Sequence, residues 1–158
     1  MPGVQALLER LVAAGCQLAL LTGKDRSRTD ELLAALGLGA FFSAVVTSTD
    51  ALPTKPAPDA IWAILKLLEC DPRRACMVGD APGDIEAATA AGIYAIGVSW
   101  GIGSADALSQ AGAVAVLASP DDLDPCLEKL RLRLAGYAGW PAWDTFSQRL
   151  RYSSLADR

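Results

Sequence analysis

Two acidic residues in the middle of the chain have the spacing of a cation site. Asp80 directly follows Ala75–Gly79, an apolar segment typical of a buried strand, and Asp84 lies four residues later at the start of a predicted helix. Two carboxylates placed in this way can share a hard cation such as Mg²⁺, which prefers oxygen ligands. The same carboxylates can instead cap the helix, and the spacing leaves both interpretations open.

Polar groups also follow two other apolar segments. Thr22 and Gly23 come directly after Leu18–Leu21, where a hydroxyl and a backbone N–H can bind an anion. Lys55 stands between Thr54 and Pro56, shortly before a predicted helix, where its charge could neutralise a phosphoryl oxygen. The alternatives are that the threonine is a turn residue and that the lysine is a solvated loop side chain.

The amino-acid composition excludes several kinds of chemistry. The 158 residues include no histidine, so histidine metal sites, Ser–His and Cys–His pairs and imidazole acid–base catalysis are excluded. The formal net charge is −4 and no basic run occurs, which argues against nucleic acid and anionic membrane as partners. No segment approaches the roughly 20 apolar residues of a membrane span.

The four cysteines point to a reducing compartment. None of them forms a C-x-x-C pair, so neither a zinc site nor a thioredoxin-like site is predicted. We interpret them as reduced thiols in or beside the core, which fits a cytoplasmic protein.

Helical and strand-like patterns alternate along most of the chain. Apolar residues at helical spacing predict helices over residues 4–14, 26–36, 58–69, 82–91, 104–111 and 121–135. Short apolar segments predict strands over residues 17–21, 44–47, 74–79, 94–99 and 114–117. This alternation predicts an α/β fold, a Rossmann-like parallel sheet with helices on both faces. Such sheets bind ligands at the carboxyl ends of their strands, which is where the polar groups described above lie.

The end of the chain breaks this alternation. Residues 136–158 contain Tyr137, Trp140, Trp143, Phe146 and Tyr152 in a short stretch with proline and glycine. We therefore predict an α/β core over residues 1–135 and an aromatic C-terminal extension over residues 136–158.

Residues 1 to about 134 resemble the haloacid dehalogenase (HAD) superfamily, and within it the phosphoglycolate-phosphatase-like branch. The resemblance is carried, in order, by LALLTGK, TKPAPDA and MVGDAPGD. It implies that Thr22, with the Gly23 backbone, binds the transferring phosphoryl group and that Lys55 steadies the charge there. It also implies that Asp80 and Asp84 hold Mg²⁺, and that Lys55 and Asp80 take part in catalysis.

One feature of that superfamily is not found. Its members begin with a strand ending in Asp-x-Asp, whose first aspartate attacks phosphorus and whose second is the general acid–base; a helical cap domain usually follows. Here the pattern occurs only at Asp122-x-Asp124, at the start of the predicted last helix, where we interpret it as helix capping. The expectation is therefore a HAD core truncated at its N-terminus, without the nucleophile strand and without the cap.

Three hypotheses about function follow. The first is a HAD-like, Mg²⁺-dependent hydrolase that acts on small phosphoric esters without the usual nucleophile. A substitute group at the same edge would then activate water, and the candidates are Asp25, Ser48, Thr49 and Asp50. The second is an inactive module that binds phosphate, metal or protein, and the third is a fragment completed by another chain.

The missing strand also has a structural consequence. The strands ending near Thr22 and at Gly79 would normally flank it, so without it they must pair with each other, leave a groove or receive a strand from outside. Because unpaired edges invite association, we predict a homodimer or an exchanged element. We also expect Lys55, with one carboxylate fewer nearby, to pair directly with Asp80 or Asp84.

Overall fold

A computed structural model describes the backbone of residues 3–134 and the side chains of residues 3–130. Its helices are α1 Val4–Ala13, α2 Arg26–Leu36, α3 Asp59–Leu67, α4 Pro82–Ala91, α5 Ala105–Gln110 and α6 Leu123–Leu134. Its strands are β1 Leu18–Leu21, β2 Phe42–Val46, β3 Cys76–Gly79, β4 Tyr94–Val98 and β5 Ala115–Leu117. Every predicted helix and strand is present, and the ends differ by up to two residues. The predicted extension over residues 136–158 lies outside the described residues.

Helix α6 begins at Leu123, two residues later than predicted. Residues 120–122 form a short 3₁₀ turn, because the Ser119 hydroxyl accepts a hydrogen bond from the Asp121 N–H at 3.3 Å and the Asp122 carboxylate accepts one from the Ser119 N–H at 3.0 Å. Asp122 thus caps this short turn, which directly precedes α6, rather than α6 itself. Asp124 is not a cap, and that part of the interpretation was wrong: its carboxylate pairs with Arg10 of α1 at 2.7 Å.

All strand pairings among the described residues are parallel, but the strands form two separate sheets. One sheet is β1–β2, in which Leu21 lies beside Val46, and the other has the order β3–β4–β5, in which Gly79 lies beside Gly97. No described residue pairs β1 with β3, so each of these strands has one edge without a partner. Of the three predicted consequences, direct pairing of these two strands is excluded in this structure.

Neighbouring residues of β4 pack into two different cores. Ala95 belongs to a cluster built mainly from α3, α4 and α5, whereas Ile96 belongs to a cluster with α1 and α6. Met77 of β3 packs against the first cluster and Cys76 against the second. Because successive side chains of a strand point to opposite faces, this division places helices on both faces of the sheet, as predicted.

Helix α3 connects the two sheets. It packs against β1 and β2 of one sheet and against α4, which itself packs against β3 and β4 of the other. Leu21, the last residue of β1, joins the same apolar cluster as Ile61 of α3 and Ile85 of α4. The carboxyl ends of β1 and β3 are therefore held in one unit although their edges do not pair.

No helix among residues 3–134 is long and apolar enough to cross a membrane.

Candidate functional site

Asp84 lies in the first turn of α4, where its carboxylate caps the helix. Its Oδ2 accepts hydrogen bonds from the Asp80 and Ala81 N–H groups, both at 3.2 Å. A Cβ added to Gly79 would overlap the Asp84 side chain, so the tight approach of β3 to this carboxylate requires glycine. The side chain is only 7% exposed. The capping interpretation of Asp84 is thus confirmed.

Lys55 carries the positive charge that compensates this buried carboxylate. It lies in the loop between β2 and α3, before a cis bond to Pro56, and its Nζ is 2.5 Å from Asp84 Oδ1. The sequence left Asp80 and Asp84 open as its partner, and the structure selects Asp84. The ion pair joins the loop after β2 to the helix after β3, so it links the carboxyl ends of the two sheets.

Asp80 is held from a different direction. Its Oδ2 accepts a hydrogen bond from the Ile102 N–H at 3.1 Å, and its carbonyl oxygen accepts one from the Gly103 N–H at 2.7 Å. No hydrogen bond or ion pair within the described part of the chain involves its Oδ1. The segment Gly101–Gly103, which follows β4, was not among the predicted site residues. The signal that could have found it is the pair of glycines just after a predicted strand.

Thr22 and Gly23 lie where predicted, immediately after β1. The Thr22 N–H donates to the Val46 carbonyl at 2.9 Å, and its Oγ1 accepts from the Lys24 N–H at 3.2 Å. The Thr22 side chain thus serves the turn, in line with the simpler alternative. In the described structure, no hydrogen bond or ion pair connects it to Lys55, Asp80 or Asp84.

The two acidic groups proposed as substitutes have structural partners. Asp25 caps α2 by accepting from the Arg28 N–H at 2.8 Å. Asp50 accepts from the Thr47 N–H at 2.7 Å and the Thr47 hydroxyl at 2.9 Å, and pairs with Arg26 at 3.0 Å. Burial works against ionisation of Asp50, but these hydrogen bonds and the Arg26 charge outweigh it and lower its pKa. Both carboxylates are therefore engaged in local structure.

Asp80 provides the donor atom with which a magnesium ion would fit this site. No group of three or more acidic, cysteine or histidine side chains within residues 3–130 could enclose a metal. Mg²⁺ does not need such a cage, because it is commonly held by one or two carboxylates, with water and phosphate oxygens as the other ligands. Asp80 offers its unbonded Oδ1, whereas Asp84 would have to share an oxygen with Lys55 or with the two amides.

Comparison with known proteins identifies the family. Residues 1–98 match the family model of haloacid dehalogenase-like hydrolases. A pyrophosphatase PpaX from Bacillus velezensis is 42% identical over 106 residues, which are 67% of this chain and 49% of that protein. A phosphoglycolate phosphatase from Escherichia coli K12 is 32% identical over 126 residues, 80% of this chain and 50% of that protein. The chain thus spans about half the length of the curated relatives it matches.

Solved structures of hydrolases and phosphatases share the fold of this chain. A hydrolase from Pseudomonas syringae superposes with a TM-score of 0.74 at 29% identity, covering 82% of this chain and 60% of that one. A predicted phosphatase from Clostridium acetobutylicum has the same score and identity, with 81% and 59% covered. The Rossmann-like α/β fold and the superfamily expected from the motifs are both confirmed. The chain belongs to the haloacid dehalogenase-like hydrolase family.

Proposed function

We propose that this chain carries the phosphate- and Mg²⁺-binding part of a phosphatase site that acts on small phosphoric esters. The observation that supports it most directly is the Lys55–Asp84 ion pair beside Asp80, at the carboxyl ends of two parallel sheets. Ligands of parallel α/β sheets bind at this edge. The relative named phosphoglycolate phosphatase supports a phosphoric ester as substrate, and the relative named pyrophosphatase supports phosphoryl hydrolysis more generally.

Each residue of the site has a role within this proposal. Lys55 places a positive charge at the strand ends, where it stabilises the negative charge of a phosphoryl group. The Thr22 hydroxyl and the Gly23 N–H donate to phosphoryl oxygens at the end of β1. Asp80 Oδ1 would hold Mg²⁺, and Asp84 positions Lys55 and the turn that carries Asp80. Bound there, the ion would neutralise phosphoryl charge and orient the ester.

These residues supply binding and charge compensation rather than covalent attack. No strand in the described part of the chain ends in an Asp-x-Asp motif, and none of the residues assigned above is placed as a nucleophile. Hydrolysis therefore requires either an activated water or a nucleophile contributed from outside the described residues.

The unpaired edges of β1 and β3 favour a second candidate, in which the site is completed by an added parallel strand. Val78, in the middle of β3, is 42% exposed, which is unusual for an apolar side chain within a parallel sheet. We propose that the strand comes from a second copy, as a homodimer or an exchanged element. Light scattering is expected to show a dimer. A monomer whose β1 and β3 amides are both protected in hydrogen exchange would contradict this assembly.

Hydrolysis of an aryl phosphate, measured with and without Mg²⁺, tests the proposed activity. We expect Mg²⁺-dependent hydrolysis that is lost in Asp80→Asn and retained in Asp30→Asn, a control at an exposed position of α2. Activity that survives Asp80→Asn would refute the site. Mg²⁺ or phosphate binding without hydrolysis would instead support a binding module.

A further inference from the structure

The segment Gly101–Gly103 holds Asp80 through two successive backbone amides. The Ile102 N–H donates to the side chain, at Oδ2, and the Gly103 N–H donates to the main-chain carbonyl. The segment reaches this position because it follows β4, which lies directly beside β3 in the sheet. One short loop thus forms hydrogen bonds with both the carboxylate and the main chain of Asp80.

Side chains are excluded where the segment touches Asp80. A Cβ on Gly101 would overlap the Cβ, Cγ and Oδ2 atoms of Asp80, and a Cβ on Gly103 would lie 2.7 Å from the Asp80 carbonyl oxygen. Real Cβ atoms do not approach other atoms this closely, so the two contacts require glycine at both positions. The Ile102 side chain is 88% exposed. What Ile102 contributes to this contact is therefore its amide and not its side chain.

We infer that the segment Gly101–Gly103 is a positioning element for Asp80, which holds Oδ2 and leaves Oδ1 available to a divalent cation. The inference rests on the proposed function, which makes Asp80 the metal-binding carboxylate. A carboxylate with one oxygen already fixed loses less rotational freedom when it binds a cation. Loss of the hydrogen-bond partners that orient a metal ligand typically weakens metal affinity about 10–100-fold.

Four variants separate the amide from the side chain. Gly101→Ala introduces the Cβ that overlaps Asp80, and Ile102→Pro removes the N–H that donates to Oδ2. Ile102→Ala is the matched control, since it retains the N–H and removes only an exposed side chain. Asp80→Asn removes the carboxylate itself.

Mg²⁺ binding, measured by calorimetry on the whole chain without substrate, is the readout. We expect Ile102→Ala to bind Mg²⁺ like the wild type, and Gly101→Ala and Ile102→Pro to bind about tenfold more weakly. Asp80→Asn is expected to lose binding. In the wild type, the Ile102 amide resonance is expected to shift on addition of Mg²⁺, because this amide donates to the carboxylate that would hold the ion.

The failures of the two proposals are distinguishable. Wild-type affinity in folded Gly101→Ala and Ile102→Pro would overturn the positioning role and leave the metal site intact. Absence of Mg²⁺ binding in the wild type, or binding that Asp80→Asn does not change, would overturn the metal site and with it the inference. If neither loop variant folds, the wild-type titration decides: an Ile102 amide resonance unaffected by saturating Mg²⁺ overturns the positioning role.

Discussion

Replacement of Lys55 by methionine tests whether the Lys55–Asp84 pair holds the two sheets together. Methionine retains most of the aliphatic length of lysine and removes the charge. Asp84, 7% exposed, then keeps its two amide hydrogen bonds but loses the cation 2.5 Å from Oδ1. We therefore expect Lys55→Met to unfold more easily than the wild type.

The burial of the two side chains sets the size of this effect. Exposed ion pairs contribute about 0–1 kcal/mol, whereas removal of one partner from a buried pair costs about 3–5 kcal/mol. Lys55 is 25% exposed, so solvent screens part of the interaction. An intermediate loss of about 2 kcal/mol in the free energy of unfolding follows from these limits.

A double-mutant cycle with Asp84→Asn, followed by urea denaturation, measures the pair itself. We expect a coupling energy of at least about 1 kcal/mol between the two positions. Arg10→Met is the matched control, because the Arg10–Asp124 pair is 47% and 40% exposed; its loss is expected to stay below about 1 kcal/mol. A Lys55→Met loss no larger than that of Arg10→Met, or zero coupling, would refute the reasoning.

Three other changes have defined outcomes. Asp50→Asn is expected to lower the free energy of unfolding at pH 7. The pKa of Asp50 is lower in the folded protein than in the unfolded chain, where it is about 3.9. The carboxylate therefore stabilises the fold above that pH, and this stabilisation is lost as the pH falls through the pKa of the folded state. Urea titrations from pH 7 to pH 3 should therefore show the free energies of unfolding of the wild type and the variant converging. A difference that stays constant with pH would contradict this prediction. Cys16 is exposed, whereas burial raises the pKa of Cys76 to about 11. Mass spectrometry after alkylation at pH 8 should therefore find Cys16 modified first. Equal alkylation rates at Cys16 and Cys76 would contradict this prediction. Ile85→Ala, at a position with 0% exposure, is expected to cost about 2–5 kcal/mol in urea denaturation, and a loss under about 1 kcal/mol would show that the cavity collapses.

Local patterns were enough to predict the order of the elements. Short apolar segments bounded by glycine and polar residues gave all five strands, and helical spacing gave all six helices. Errors arose where a side chain formed a distant contact. Asp124 has the local pattern of a cap but pairs with Arg10, which is 114 residues away in the chain. Sequence spacing carries no information about such a partner.

The candidate site also contains residues whose positions the sequence could predict and a contact that it could not. The positions of Thr22, Asp80 and Asp84 could be predicted, because each follows an apolar segment closely in the sequence. Lys55 could be placed in the loop between a predicted strand and a predicted helix. The contact between Ile102 and Asp80 could not, because it depends on β4 lying beside β3. A backbone amide also has no residue-type signature, so only the neighbouring glycines marked it.

The sequence by itself determined the alternation of helices and strands and the residue types available for phosphate and Mg²⁺ chemistry, because these depend on composition and local spacing. The family followed from the resemblance of its ordered motifs to those of the superfamily. Only the tertiary structure decided that Lys55 pairs with Asp84, that Asp80 keeps one oxygen without a hydrogen bond, and that β1 and β3 remain unpaired. Each of these depends on how residues far apart in the chain pack together. Burial then decides which charges must be compensated.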